Sequence, residues 1–128
     1  MNTVTNYPVG DFLIRIKNAS IAGRSELVTP STKMIRAVAD VLKAEGYVRE
    51  IAEEDGSLKV NLTFVKKNPV LMDLKLISKL GLRIYKNVDE LKEHRGVSFY
   101  IMSTPKGVIS SKKAIKENVG GEVIAEVW

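Results

Sequence analysis

The sequence predicts a mixed α+β fold in two small lobes. An N-terminal helix–strand–helix–hairpin lobe is expected over residues 1–66, and a mainly β lobe with short helices over 67–128. Three observations lead there. Two early segments carry apolar residues at helical spacing. The stretch LKVNLTF then alternates strictly between apolar and polar residues. Beyond Lys66-Lys67-Asn68-Pro69, short apolar runs are broken by Gly81, Gly96 and Gly107. With 45% apolar and 27% charged residues, the chain has the composition of a folded domain. Its core must be mostly aliphatic, because it holds only three Phe, four Tyr and one Trp.

In the first helix, Pro8 suits an early position, with Asn6 or Tyr7 at the cap. Val9, Phe12, Leu13 and Ile16 form its buried stripe, and Asp11 is spaced to pair with Arg15. The helix is expected to stop near Gly23, before a short strand between Arg24 and Thr29. Pro30 precedes a second helix with Ser31 as its cap. Met34, Val38, Val41 and Leu42 are its expected stripe, and Gly46 its stop. Strands follow at Tyr47–Ile51 and, after the Asp55-Gly56 turn, at Leu58–Phe64.

In the second half, Met72, Leu74 and Leu76 predict a strand, and LRIY another after Gly81. Asn87 is expected to cap a brief helix through Leu91 and Lys92, and VSFYIM is a strand after Gly96. Ser110 caps a helix bearing Lys112, Lys113 and Lys116, Gly120-Gly121 ends it, and EVIAEVW is the last strand.

The chain has no cysteine, which excludes disulfides and thiolate metal sites and suits a reducing cytoplasm. Its start, MNTVTNYPVG, does not read as a signal peptide, and no apolar run approaches membrane-spanning length. The single histidine, His94, lies in a charged stretch and reads as a surface residue without a nucleophile in reach. No metal-ligand spacing occurs, and neither metal nor cofactor is expected. PKG at 105–107 fails as a phosphate-binding P-loop, because the lysine precedes the glycine and Val108 follows. Phe99 and Tyr100 are adjacent and face opposite sides of a strand, unlike a base-stacking pair.

Charge points elsewhere. Residues 1–64 hold 8 basic and 8 acidic side chains, whereas 65–128 hold 12 and 7, so the whole net charge of +5 lies in the second half. The acidic cluster Glu53-Glu54-Asp55 is segregated from it. Such asymmetry suits a polyanionic partner. The stretch MSTPKGV combines small hydroxyls, a stiffening proline, a lysine and a glycine that lets backbone approach closely. The helix starting near Ser110 would aim its N-terminal N–H groups at the same region. These residues alone leave a binding loop and a plain turn both open, and a small phosphoryl-handling enzyme using the loop is the alternative function.

Ser103-Thr104-Pro105-Lys106-Gly107-Val108-Ile109, then Ala114 and Gly120-Gly121-Glu122-Val123-Ile124, resembles the C-terminal signature of the small-subunit ribosomal protein family S-eight, bacterial type. GLRIYK at 81–86 resembles its central motif, DFLIRIKNA at 11–19 its first helix, and PSTK at 30–33 the start of its second. Leu80 stands where members usually carry proline, and Met102 where they carry a branched aliphatic residue. The resemblance implies a non-enzymatic primary rRNA-binding protein, located in the cytoplasm on the ribosome and monomeric when free. It would bind an irregular stem in the central domain of small-subunit rRNA, support subunit assembly beside neighbouring small-subunit proteins, and bind a similar structure in its own operon's mRNA to repress translation.

The implied RNA contacts are Ser103, Thr104, Pro105, Lys106 and Gly107, with Tyr85 and Lys86 beside them, and Ser31, Thr32 and Lys33 as a second patch. Arg83 would touch sugar-phosphate or be structural. Gly120 and Gly121 would allow close backbone approach or simply terminate the helix. The acidic tip Glu53–Asp55 would face away from the RNA.

Overall fold

The computed structural model describes residues 7–79 and 81–128. The expected roles of Asn6 and Leu80 lie outside them. The fold is mixed α+β, as the apolar patterning predicts.

Helix α1 (Pro8–Ile21) starts on its proline, without a side-chain cap at Tyr7, and buries Val9, Phe12, Leu13 and Ile16 as expected. Asp11 and Arg15 do not pair; the Arg15 guanidinium instead donates to the Val28 carbonyl of strand β1 (Glu26–Pro30). Helix α2 (Lys33–Ala44) is capped by Thr32, whose hydroxyl accepts the Ile35 N–H at 3.1 Å. Ser31 is therefore not the cap. Its buried stripe is Ile35, Val38, Ala39, Val41 and Leu42, while Met34 is 36% exposed. Ile35 takes the inward place expected of Met34 because it stands three, four and seven residues before Val38, Ala39 and Leu42, on the same helix face.

Strands β2 (Val48–Glu54) and β3 (Ser57–Leu62) form a hairpin and β1 adds on the far side of β3, all antiparallel. Asp55 and Gly56 both have positive φ, 49° and 80°, which matches the right-handed twist of a two-residue hairpin. Lys66-Lys67 stands at the expected join of the two lobes. It forms the turn between the short strands β4 (Phe64–Val65) and β5 (Asn68–Pro69), again with both φ values positive, 52° and 69°.

The C-terminal sheet holds β6 (Leu74–Leu76), β7 (Tyr85–Lys86), β8 (Phe99–Thr104), β9 (Gly107–Ser110) and β10 (Gly121–Val127). The order β6–β10–β8–β9 runs across it, and β7 also pairs with β10. Three expected strands are shorter than the sequence suggests. Met72 is 72% exposed and precedes β6, which starts at Leu74. LRIY contributes only its tyrosine to β7. VSFYIM enters the sheet at Phe99. Helix α3 (Val88–Lys92) begins with a capping box: Asn87 accepts the Glu90 N–H at 2.9 Å and Glu90 accepts the Asn87 N–H at 2.9 Å. Helix α4 (Ser111–Glu117) is capped by Ser110, as expected, but ends on Asn118 in the left-handed conformation. Gly120 and Gly121 do not terminate it.

The main core joins Phe12, Leu13, Val38 and Leu42 with Leu58 and Val60, and with Leu74, Phe99, Ile101 and Val127 from the second half. A smaller cluster gathers Leu91, Met102, Ile109, Ala114 and Val123. Met102 is fully buried there, so its unbranched chain fills the place of a branched residue. A register shift between Val123 and Ala125 lets β10 bury Val123, Ile124 and Ala125 in succession, and so feed both clusters.

Candidate nucleic-acid interface

The stretch STPKG closes the β8–β9 hairpin. Thr104 pairs with Gly107 in the register, so Pro105 and Lys106 form the turn. Proline holds φ near −65° and excludes the usual positive-φ hairpin turns. The chain is brought back instead at Gly107, whose φ of +107° suits a residue without a side chain. The Thr104 hydroxyl donates to the Gly107 carbonyl at 2.8 Å and accepts the Lys106 N–H at 3.1 Å. Thr104 is thus a turn-shaping residue, not a free donor. The half-buried Ser103 hydroxyl has no partner among the described residues, and exposed Lys106 is in no ion pair there.

Strand β10 brings the other positions to this bend. Glu122 pairs with Ser103 on one side and with Tyr85 on the other, and Gly121 pairs with Lys86. One end of the sheet therefore brings Ser103, Lys106, Tyr85 and Lys86 close in register, with Tyr85 and Ser103 flanking Glu122 on one face and Lys86 beside Tyr100 on the other. Tyr85 is 66% exposed, and the Lys86 ammonium lies 6.0 Å from the Tyr100 ring centre. Both glycines serve this assembly. A Cβ on Gly120 would lie 2.5 Å from the Lys86 carbonyl oxygen, and one on Gly121 3.1 Å from Thr104 Cα. The close approach they permit is to the protein's own strands. Sequence reasoning did not single out Glu122, the carboxylate between the two groups, because no local pattern encodes the pairing along β10. Arg83 is drawn onto it, at 3.1 Å, and stacks 5.3 Å from the Tyr7 ring centre. Arg83 is thereby tied to the β10 strand and to the start of α1. Burial raises the Tyr7 pKa above its ordinary 10.0, partly offset by Arg83.

The N-terminus of α4 does not lie at this bend. It begins where Ser110 pairs with Ile101, three residue pairs away, or about 10 Å along the strand. One of its first donors is used internally, the Lys113 N–H going to Ser110 at 3.2 Å. At the second patch, Ser31 donates to Glu53 at 2.7 Å and Arg36 reaches the same carboxylate at 2.7 Å. One carboxylate of the acidic tip therefore lies against this patch rather than away from it. Ser31 and Thr32 are engaged within the protein, and Lys33 is left exposed and without an ion pair among the described residues.

The family profile described as Ribosomal protein S8 matches residues 7–128. The chain belongs to the ribosomal protein S8 family. A relative named small ribosomal subunit protein uS8 from Nitratidesulfovibrio vulgaris is 40% identical over 122 residues, covering 94% of this chain and 97% of its own. One of the same name from Paracoccus denitrificans is 44% identical over 129 residues, covering 96% and 98%.

A protein of the S8 family has a structural, non-enzymatic ribosomal role, and the geometry at its histidine agrees. His94 is half-buried rather than a free surface residue, packed 4.8 Å from the Tyr100 ring centre. Its Nε2 lies 2.9 Å from the Ser98 hydroxyl and 3.1 Å from the Ser98 carbonyl. Glu126 receives the Ser98 hydroxyl at 2.6 Å instead of orienting the ring, as a catalytic triad requires. No helix of the described residues is long and apolar enough to cross a membrane.

Proposed function

We propose that the protein is a structural constituent of the small ribosomal subunit and binds an irregular stem in the central domain of its rRNA, supporting subunit assembly. The register of β10 carries this reading, because it collects at one end of a sheet the Ser103 hydroxyl, which has no partner among the described residues, an exposed aromatic ring and two lysines. A regular A-form helix hides its base edges in a deep, narrow groove, whereas distorted pairs expose them to short side chains and backbone. Lys106 and Lys86 supply salt-dependent attraction to phosphate. The Ser103 hydroxyl and the Tyr85 ring read local shape, with Thr104, Pro105 and Gly107 holding the bend, and Gly120 and Gly121 its supporting strands. Lys33 extends the contact with sugar-phosphate, beside Ser31 and Thr32. The same surface binds a similar fold in the operon's own mRNA and represses its translation.

The test is affinity of the isolated protein for the central-domain stem against an unrelated hairpin of equal length, at physiological salt. A preference above tenfold is expected, and equal affinities overturn the proposal. A leader transcript carrying the mRNA structure should compete with the stem; if it competes no better than the hairpin, the repressor role is lost.

A further inference from the structure

The end of the molecule opposite the bend carries a second kind of surface. Strand β10 runs from Gly121, beside the bend, to Val127, which pairs with Leu74; that is about 20 Å. Just past Leu74 the chain exposes large apolar side chains around a cleft between the end of α1 and the β4–β5 hairpin. Ile21 is 71% exposed, Met72 72% and Val65 57%. Ser20, Pro69 and Leu71 line the floor of a cleft of about 400 Å³.

This surface is held rigidly. The buried Ser20 hydroxyl donates to the Leu71 carbonyl at 2.9 Å, and the Met72 N–H donates to the Trp128 carbonyl at 2.8 Å. The backbone that carries Met72 is thus fixed, so docking need not order it. The neighbouring turn places Lys66 and Lys67 in left-handed backbone, φ 52° and 69°, where Asn-Gly would form the same turn without strain. Among the described residues, neither lysine is in an ion pair.

We propose that this cleft docks an acidic, amphipathic segment of a neighbouring protein, whose apolar side chains pack between Ile21 and Met72 while its carboxylates meet Lys66 and Lys67. Exposed Met and Ile side chains favour a protein partner over a phosphate backbone, which offers them nothing to bury. The lysine pair sets the sign of the partner's charge. The assay rests on the ribosomal reading, but the surface is separate from the proposed RNA contact.

The chain has no cysteine, so Met72→Cys gives a single attachment point for a photocrosslinker. The labelled full chain is assembled with small-subunit rRNA and proteins, then irradiated. The expected product is a crosslink to an Asp/Glu-rich peptide of another protein. A crosslink to RNA, to a second copy of this chain, to a peptide without acidic residues, or to nothing overturns the inference. In parallel, Ile21→Glu/Met72→Glu should leave affinity for the isolated rRNA stem within twofold and reduce co-assembly of the crosslinked protein at least tenfold. Undiminished co-assembly also overturns it. Should the wild-type chain fail to bind the stem, the RNA reading fails, and the crosslink result still judges the cleft.

Discussion

Gly120→Ala tests whether the sheet end is assembled as described. The added methyl would lie 2.5 Å from the Lys86 carbonyl oxygen and 2.7 Å from Asn87 Cα, where ordinary contact begins at 3.4 Å. Both obstacles are backbone. One belongs to the β7–β10 pairing and the other to the capping box of α3, so no side-chain rotation relieves the overlap. β7 must move from β10 by the difference between 2.5 and 3.4 Å, about 0.9 Å. Overpacking of this kind costs about 1–3 kcal/mol. For a chain of this size each kcal/mol lowers Tm by roughly 4 °C. The shift also carries Tyr85 and Lys86 away from the bend, and losing one contact of about 1.4 kcal/mol weakens RNA binding tenfold. Urea denaturation and filter binding measure the two effects. Gly23→Ala is the control: its φ of +74° makes alanine costly, but its Cβ meets nothing within 4 Å, so affinity should hold. A Gly120→Ala protein with stability within about 0.5 kcal/mol of the parent and unchanged affinity would refute the close approach of β7 and β10.

Other expectations follow from the same contacts. Lys106→Ala should weaken binding to cognate and random RNA alike and lower the slope of log K against log salt by about 1, read by titration across salt concentrations. Thr104→Val should lose the turn's two hydroxyl bonds and impair cognate binding, while Thr104→Ser restores it; equal affinity of both variants would show that the hydroxyl does not shape the bend. Replacing Lys66-Lys67 by Asn-Gly should raise stability by about 1–2 kcal/mol, because glycine and asparagine accept left-handed backbone more readily; an unchanged urea midpoint would contradict this. The hydrogen bond from Lys17, aided by that from the Leu74 N–H, holds the Asp73 pKa below its ordinary 3.8. Its stabilisation is therefore fully present above 3.8 and fades as pH falls below it toward the folded value. Asp73→Asn should flatten the acid limb of the stability–pH curve there and leave neutral pH dependence unaltered.

Much of the fold was legible in the chain because local rules suffice for it. The stripe of α1 follows from the 3.6-residue period, the β2–β3 hairpin from Asp55-Gly56, and the caps of α3 and α4 from Asn87 and Ser110. Membership of the ribosomal protein S8 family was likewise readable from the order of its motifs. What local pattern does not encode is which neighbour a polar side chain meets. Ser31 and Thr32 are both good caps in isolation; Glu53, brought over by a hairpin twenty-two residues on, takes the first and leaves the second to cap. Gly120 and Gly121 read as a helix stop until two strands from elsewhere press against them. Met72 alternates like a strand residue, yet its N–H goes to the Trp128 carbonyl and its side chain to the surface. Composition and period determined the elements, because these depend on backbone conformation and the side on which apolar groups fall. Only the tertiary structure decided how Tyr85, Lys86, Ser103 and Lys106 converge, because hydrogen-bond pairing along β10 joins residues remote in the chain.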